Sequence, residues 1–158
     1  MIYLNILEDY TEDMANEIRI YHYVEELVFS YRQFMTDHLK EDDIQLHECP
    51  LFIRLRFSNN KTQKELANEF HFTEGYTAKV LRKFEEKNLI SRIENPENRR
   101  QKLVSLTEDG RNYADYLIKL MDMWERGVTS SQSKEEIKNL KTNLYKMVIQ
   151  SNHLNNEK

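Results

Sequence analysis

Residues 62–110 read TQKELANEFHFTEGYTAKVLRKFEEKNLISRIENPENRRQKLVSLTEDG, and this segment decides the fold. Two stretches in it repeat apolar residues at the spacing of a helix, and a short interruption separates them. Two β-prone stretches follow, joined by turn-forming residues. The segment therefore predicts a helix, a tight turn, a second helix and a β-hairpin, in that order.

The first helix is predicted to begin at Thr62. Thr62 and Glu65 have the spacing of a capping box, in which the hydroxyl accepts from a free backbone amide and the carboxylate reaches back to the cap. Leu66, Ala67 and Phe70 then fall on one face of the helix. That face is expected to pack against the core.

The second helix is predicted to run from Thr73, a favoured N-cap residue, to about Asn88. Its apolar stripe consists of Val80, Leu81 and Phe84. The residues off this stripe, or at the exposed N-terminal end, are Glu74, Gly75, Tyr76, Thr77, Lys79, Arg82 and Lys83.

Gly75 is an unfavourable residue for a first turn, because glycine costs about 1 kcal/mol relative to alanine in a helix. One explanation is that a side chain here would clash with the preceding helix. A second is that the backbone must come close to a ligand. From this single residue we favour the first explanation.

The β-hairpin is predicted from residues 89–93 and 102–106, with turn-forming residues 95–98 between them. Arg99 and Arg100 follow at the tip. Arginines on a hairpin can enter a narrow minor groove, where the potential is most negative. A solvated turn is the simpler interpretation of any charged tip, but here the hairpin directly follows a helix-turn-helix pattern.

This segment resembles the winged helix-turn-helix of the MarR family of transcriptional regulators. The family's wing ends in the form Asn/Asp-Pro-x-Asp-[Arg/Lys]-Arg, then four residues ending in Val, then x-Leu-Thr-x-x-Gly. This chain has Asn95-Pro96-Glu97-Asn98-Arg99-Arg100, then residues 101–104 ending in Val104, then Ser105-Leu106-Thr107-Glu108-Asp109-Gly110. Asn98 replaces the usual Asp, which orients the arginine that corresponds to Arg100, so the charge-assisted pairing is absent.

The resemblance implies a mainly α (α+β) fold. It places a winged helix-turn-helix DNA-binding domain at residues 41–110 and a helical dimerisation region at residues 1–40 and 111–158. The segment Glu48–Phe57 corresponds to the short helix that precedes the helix-turn-helix in the family. A homodimer of this kind presents two recognition helices, about 34 Å apart, to a pseudo-palindromic site on double-stranded DNA.

Helix-turn-helix geometry then predicts the DNA contacts, because the N-terminal residues of the second helix meet base edges. The residues expected in or beside the major groove are Thr73, Gly75, Tyr76, Thr77, Lys79 and Arg82. Gln63 and Lys64 are expected at phosphate, and Arg99 and Arg100 at the flanking minor groove.

Composition fits this interpretation. The chain has 158 residues, 32% of them charged, with only three glycines and two prolines, which favours a mainly helical protein. The segment from Lys61 to Lys102 has ten basic and seven acidic residues, so its net charge is +3. The net charge of the whole chain is −4, which leaves −7 on the rest of the chain. The lone Cys49 fits a reducing, cytoplasmic compartment. The N-terminal MIYLNIL is too short to predict a signal peptide or a membrane contact.

Both ends of the chain predict long amphipathic helices that need a cover, either from an intrachain core or from a second subunit. In the first forty residues the apolar side chains recur about every 3.5 residues, at Met14, Ile18, Tyr21, Val24, Leu27, Val28, Tyr31, Phe34 and Met35. A further helix is predicted from near Thr107 until Gly127 and the run Thr129-Ser130-Ser131-Gln132 break it. The last helix is predicted after a second capping box, Ser133 with Glu136.

Catalysis finds no support, since the sequence has no glycine-rich phosphate loop, nucleophile elbow or Cys-x-x-Cys motif. His47 and Cys49, near His38 and Asp42, raise the alternative of a metal site, and Cys49 that of a redox switch. The simpler interpretation is that His47 and Cys49 cap and pack the start of a helix. We therefore predict no enzyme activity, cofactor or metal.

The resemblance also implies a small aromatic or phenolic effector, which in the family often binds beside the first long helix. Tyr21, Tyr23 and Tyr31 lie there, although ordinary packing explains any one of them more simply. We predict a transcriptional repressor that such a ligand releases from DNA, and assign no ligand residues. The alternative is a winged-helix module that binds proteins or ligands without binding DNA.

Overall fold

The computed structural model of the protein describes residues 15–39, 43–58 and 60–156. Met14, the MIYLNIL segment and Asp42 lie outside these residues. The chain divides into two compact units, one ending at Ile118 and the other beginning at Lys119, so that the boundary falls within one helix. The architecture is mainly helical with a small antiparallel sheet.

The first unit contains most of the elements. In chain order they are α1 (Ile20–His38), a 3-10 turn (Leu46–Glu48), α2 (Cys49–Phe57), β1 (Lys61–Thr62), α3 (Gln63–Glu69), α4 (Glu74–Glu86), β2 (Ile90–Asn95), β3 (Asn98–Leu106) and the first part of α5 (Glu108–Val128). The predicted order of helix, helix and hairpin is confirmed.

The sheet has three antiparallel strands in the order β1-β3-β2. Ile90 pairs with Leu106 and Arg92 with Val104, and the register shifts between Glu94 and Asn95 next to the turn. Both hairpin strands extend closer to the tip than predicted. The sequence analysis missed β1, because a two-residue strand, Lys61 opposite Val104 and Thr62 opposite Leu103, has no periodicity to detect.

The core of the first unit lies between α2, α4 and α5. Phe52 is fully buried, with its ring 4.3 Å from that of Phe84 and 5.1 Å from that of Tyr113. The predicted stripe of α4 is confirmed, since Val80, Leu81 and Phe84 are all buried. This packing fixes which face of α4 remains outside.

The first helix is shorter than predicted. It begins at Ile20, whereas Ile18 lies in a bend before it, and the Tyr23 hydroxyl donates to the carbonyl of Ala15 in the preceding turn. Apolar spacing identifies side chains that share a face but does not show where the backbone becomes helical. Met35 is buried near the C-terminal end. The apolar residues exposed on α1 are Ile20, Tyr21, Val24, Leu27, Val28 and Phe29.

The second unit consists of the rest of α5 and α6 (Lys134–Asn156). The predicted capping box is confirmed, because the Ser133 amide donates to the Glu136 carboxylate at 2.7 Å and the Ser133 hydroxyl accepts from the Glu136 amide. α5 ends at Val128, between Gly127 and the run Thr129-Ser130-Ser131-Gln132 that were predicted to break it, and Gly127 itself lies in the last turn of the helix. Exposed apolar residues on α6 include Leu140, Leu144, Tyr145, Met147, Val148, Ile149 and Leu154. Among the described residues, no helix has the length and apolar character of a membrane span.

The capping box at α3 predicts a pH dependence of stability. The backbone amide and the hydroxyl of Thr62 both donate to Glu65 Oε2, at 2.7 and 2.8 Å, and these bonds lower the pKa of Glu65. A lowered pKa in the folded state stabilises the fold above the ordinary value of about 4.3, and this contribution is lost as the pH falls through the folded value.

We therefore expect Glu65→Gln to be less stable than the wild type near pH 7, and the difference in melting temperature to narrow towards about pH 3. Thermal unfolding across this range measures it. Glu86→Gln is the control, since Glu86 is exposed and lies at the C-terminal end of α4, where its carboxylate does not cap a helix start. An unchanged difference between the two ends of the range would contradict the role of the ionised carboxylate.

Candidate nucleic-acid interface

The N-terminal turn of α4 is exposed and capped as predicted. The Thr73 hydroxyl accepts from the backbone amide of Tyr76 at 3.2 Å. Thr73, Glu74 and Gly75 are all exposed, as are Lys79 and Arg82 further along the helix. The helix ends two residues earlier than expected, because Asn88 adopts a left-handed backbone conformation (φ 56°). The exposed face therefore extends from Glu74 and Gly75 at the start of the helix to Glu85 and Glu86 at its end.

Gly75 corrects one of our expectations. Among the described residues, no atom lies within 4 Å of a Cβ built on Gly75. A side chain at this position would not clash with the preceding helix, so the explanation favoured from sequence is wrong. The backbone at Gly75 is instead open to the exterior at the end of α4 that faces away from the core.

Thr77 corrects a second expectation. Its side chain is fully buried, and its hydroxyl donates to the carbonyl of Thr73 at 3.0 Å. It shares the buried face with Val80, Leu81 and Phe84, at helical positions i, i+3, i+4 and i+7. The backbone hydrogen bond makes burial of this hydroxyl tolerable. Thr77 therefore faces the core and its side chain does not reach a groove.

Tyr76 is half-buried. Its hydroxyl lies 2.5 Å from His47 Nε2. Burial, together with the nearby Glu48 carboxylate, raises the pKa of Tyr76, so the hydroxyl remains protonated at neutral pH. Tyr76 is thus at the predicted place on α4, but its polar end points towards the turn before α2.

The start of α3 lies beside the start of α4. The capping box of Thr62 and Glu65 is confirmed, and the Gln63 side chain donates to the carbonyl of Glu74 at 3.5 Å. Lys64 is exposed. The two residues predicted to touch phosphate therefore adjoin the exposed end of the recognition helix, with Gln63 partly engaged by it.

The wing presents both predicted arginines. Arg99 and Arg100 are exposed, and they are the second and third residues of β3 instead of turn residues. Asn98 Oδ1 accepts from the backbone amide of Arg100 at 3.1 Å, and Asn95 Oδ1 accepts from that of Glu97 at 3.0 Å. Asn98 therefore braces the backbone below Arg100 and leaves its guanidinium to the exterior.

The basic residues of this unit divide into two groups. Lys83 pairs with Glu48 at 2.6 Å, Lys87 with Asp43 at 3.6 Å and Arg92 with Glu85 at 3.2 Å. The predicted contact cations Lys64, Lys79, Arg82, Arg99 and Arg100 are all exposed, and none of them has an acidic partner within the described part of the chain. Lys102 on β3 and Arg111 on α5 share this property. Among the described residues, no ion pair neutralises the predicted contact cations, whereas Lys83, Lys87 and Arg92 are each paired with an acid.

Cys49, which was considered for redox chemistry, is engaged in packing. Cys49 is buried at the start of α2, and its thiol contacts the carbonyl of Gln45. Over residues 15–39, 43–58 and 60–156, no group of three or more His, Cys, Asp or Glu side chains is arranged to hold a metal ion.

Comparison with known proteins identifies the fold family. Residues 51–102 match the MarR family model, and this match includes most of α2, both helices of the helix-turn-helix and about half of β3. A relative, the HTH-type transcriptional regulator BilQ of Clostridium symbiosum (strain WAL-14163), is 28% identical over 114 residues, 72% of this chain and 79% of the relative. Residues 51–102 form a MarR-family domain.

Solved MarR-family structures have the same fold. A crystal structure of MarR superposes with a TM-score of 0.75 at 23% identity, and covers 92% of this chain and 99% of that protein. The S. aureus MepR–DNA complex superposes with a TM-score of 0.69 at 24% identity, and covers 84% of this chain and 98% of MepR. At these identities the similarity shows a shared architecture.

The sequence analysis missed the contacts between the turn Leu46–Glu48 and α4. The turn Leu46–Glu48 contacts α4 through His47–Tyr76 and Glu48–Lys83, pairs that are separated by 29 and 35 residues. No periodic signal connects residues so far apart. The sequence marked His47 only as a candidate metal ligand or helix cap.

Proposed function

We propose that this protein is a transcriptional regulator that binds double-stranded DNA at defined sites. The observation that carries this proposal is the set of unpaired cations on α3, α4 and the wing, defined above. Lys83, Lys87 and Arg92 have acidic partners, whereas the predicted contact cations have none among the described residues and are available to phosphate. Phosphate neutralisation by Lys and Arg supplies most of the affinity of such interfaces.

Each element has a role in this proposal. The first turn of α4, with Thr73 and Gly75, enters the major groove, and Lys79 and Arg82 lie beside it. Gln63 and Lys64 contact the backbone from α3. Arg99 and Arg100 reach the adjacent minor groove from the wing. S. aureus MepR, a protein of the same architecture, was solved in complex with DNA, which supports DNA binding by this fold.

We further propose a homodimer acting on a pseudo-palindromic site. Exposed apolar residues on α1 include Ile20, Val24 and Leu27, and those on α6 include Leu144 and Val148, each 42–59% accessible. Apolar side chains on two long helices are unfavourable in water at this exposure, and burial against a second copy would remove the cost. A two-fold dimer matches the symmetry of inverted half-sites.

Repression, with release by a small aromatic or phenolic ligand, is the regulatory mode that we propose on family grounds. The relative BilQ is named a transcriptional regulator, and MepR is described as a transcription regulator of the S. aureus multidrug efflux pump MepA. We assign no ligand residues. A reporter gene under the selected site, measured with and without the protein, tests the sign of regulation.

Selection from a random duplex library tests the DNA-binding proposal. We expect an enriched motif with two inverted half-sites whose centres are about 10 base pairs apart. Sedimentation should give twice the 19.2 kDa mass of one chain. Affinity should fall linearly with salt on logarithmic axes. A module that binds only proteins or ligands would enrich no motif, and that outcome would refute the proposal.

Gly75 provides a prediction in which stability and binding move in opposite directions. Because a Cβ meets no atom of the described protein, Gly75→Ala should stabilise the fold by up to about 1 kcal/mol. The same Cβ would occupy the space that the DNA needs, so affinity for the selected site should fall about tenfold. Thermal unfolding and a binding titration measure the two effects.

Ala78, the next small residue along α4, is already alanine and cannot provide a second glycine-to-alanine change. The control is therefore Lys79→Ala, which adds no methyl group at Gly75 and removes one cation. It should weaken specific and non-specific binding similarly. If Gly75→Ala left the affinity unchanged, the first turn of α4 would not closely approach DNA.

A further inference from the structure

The turn Leu46–Glu48 holds α4 at two points. Glu48 is only 4% exposed, and its Oε2 accepts from Lys83 Nζ at 2.6 Å and from the backbone amide of Gln45 at 2.9 Å. Lys83 also donates to the carbonyl of Asp43 at 3.1 Å. This ion pair fixes the C-terminal half of α4, because separating it would leave the buried Glu48 carboxylate without its charged partner.

The second point is at the start of the helix. The ring of Tyr76 is stacked on the ring of His47 (centroids 5.9 Å, 28°) and meets the edge of Phe72 (5.1 Å, 81°). Its hydroxyl lies 2.5 Å from His47 Nε2. Both rotatable bonds of Tyr76 are therefore constrained by residues outside α4. His47 itself is exposed, so its main tertiary contact is with this tyrosine.

We propose that His47 is a positioning residue for DNA recognition, which acts through Tyr76 to fix the first turn of α4. Tyr76 follows Gly75 directly and is the residue whose backbone amide closes the Thr73 cap. A tyrosine held by its ring and its hydroxyl thus anchors the turn that carries the proposed base contacts. This inference rests on the proposed function, because it concerns how the recognition helix is held.

Loss of the His47–Tyr76 contact should affect specific and non-specific DNA binding differently. Base-edge contacts depend on the orientation of the first turn, whereas phosphate contacts tolerate small displacements and carry no sequence information. Loss of a positioning contact should therefore lower affinity for the selected site and leave affinity for a scrambled duplex unchanged. A histidine that contacted phosphate directly would lower both and would reduce the salt slope.

The test uses the full-length protein and the duplex obtained by selection. His47→Ala and Tyr76→Phe remove the same hydrogen bond from opposite sides, so each should weaken specific binding about fivefold. The double variant should be no weaker than either single variant. His47→Gln can place an amide near the position of Nε2, and should recover most of the lost affinity. The salt slope should remain that of the wild type in all four.

His38→Ala is the matched control. His38 is also exposed, and its ring hydrogen bond stays within its own helix, at the carbonyl of Phe34. It should bind as the wild type does. Thermal unfolding of each variant checks that the fold is retained.

Three results would overturn the inference: unchanged specific binding of His47→Ala, an additive loss in the double variant, or an equal loss on the scrambled duplex. Each of these leaves the proposed function in place, since the wild type still binds the selected site. Failure of the wild type to bind any duplex selectively would instead refute the proposed function itself.

Discussion

Gly110→Ala should destabilise the protein by about 3 kcal/mol or more. A Cβ at this position would lie 1.8 Å from the carbonyl oxygen of Leu89 and 2.9 Å from its carbonyl carbon. Backbone atoms cannot move aside as the end of a flexible side chain can. The Leu89 carbonyl also accepts from the Thr107 amide at 3.1 Å, so any displacement disturbs the junction between the wing and α5. Glycine is required here for space, since its φ is not positive.

Thermal unfolding measures this effect, and the melting temperature should fall by about 6–12 °C. Gly127→Ala is the matched control in the same helix. Among the described residues, no atom lies within 4 Å of a Cβ built there, so this substitution should stabilise α5 by up to about 1 kcal/mol. Equal effects of the two substitutions would show that helix propensity alone decides both.

Arg100→Ala should weaken binding to the selected site by about tenfold or more, without a change in the free energy of unfolding beyond about 0.5 kcal/mol. Arg100 is exposed on β3 and, among the described residues, its guanidinium has no acidic partner, so its removal costs the fold little. In a narrow minor groove its charge would meet the most negative potential of the duplex. Binding titrations at several salt concentrations measure the loss.

Arg126→Ala removes the same side chain from an exposed position of α5 and serves as the control. Its guanidinium donates to the carbonyl of Asp122 in its own helix. It should bind DNA as the wild type does. Equal losses for the two variants would mean that net charge alone governs binding, and the assignment of Arg100 to the wing contact would then be withdrawn.

Local chemistry explains why much of this fold could be predicted. Capping boxes such as Thr62 with Glu65 and Ser133 with Glu136 involve residues three apart. Their hydrogen bonds depend only on the local helix start and not on distant parts of the chain. The apolar stripe of α4 follows from the helical period. The boundary of α1 was predicted less well, because its start depends on contacts such as that of Tyr23 with Ala15.

Thr77 shows a signal that was present but not used. It lies three, four and seven residues before Val80, Leu81 and Phe84, which is the spacing of the buried face. A polar residue type led to the prediction of an exposed contact. The Thr77 hydroxyl can be buried because it donates to the carbonyl of Thr73 within the helix. Periodicity was in this case a better guide than residue type.

The sequence by itself determined the order of elements, the helix caps, the core face of α4 and the motif from Asn95 to Gly110, because each depends on residues that are close along the chain. Only the tertiary structure decided that Gly75 is open, that Glu48 pairs with Lys83 and that His47 holds Tyr76. These features depend on residues 29 or more apart, or on the space around one atom. Such proximity is created by packing of the core, and no local pattern records it.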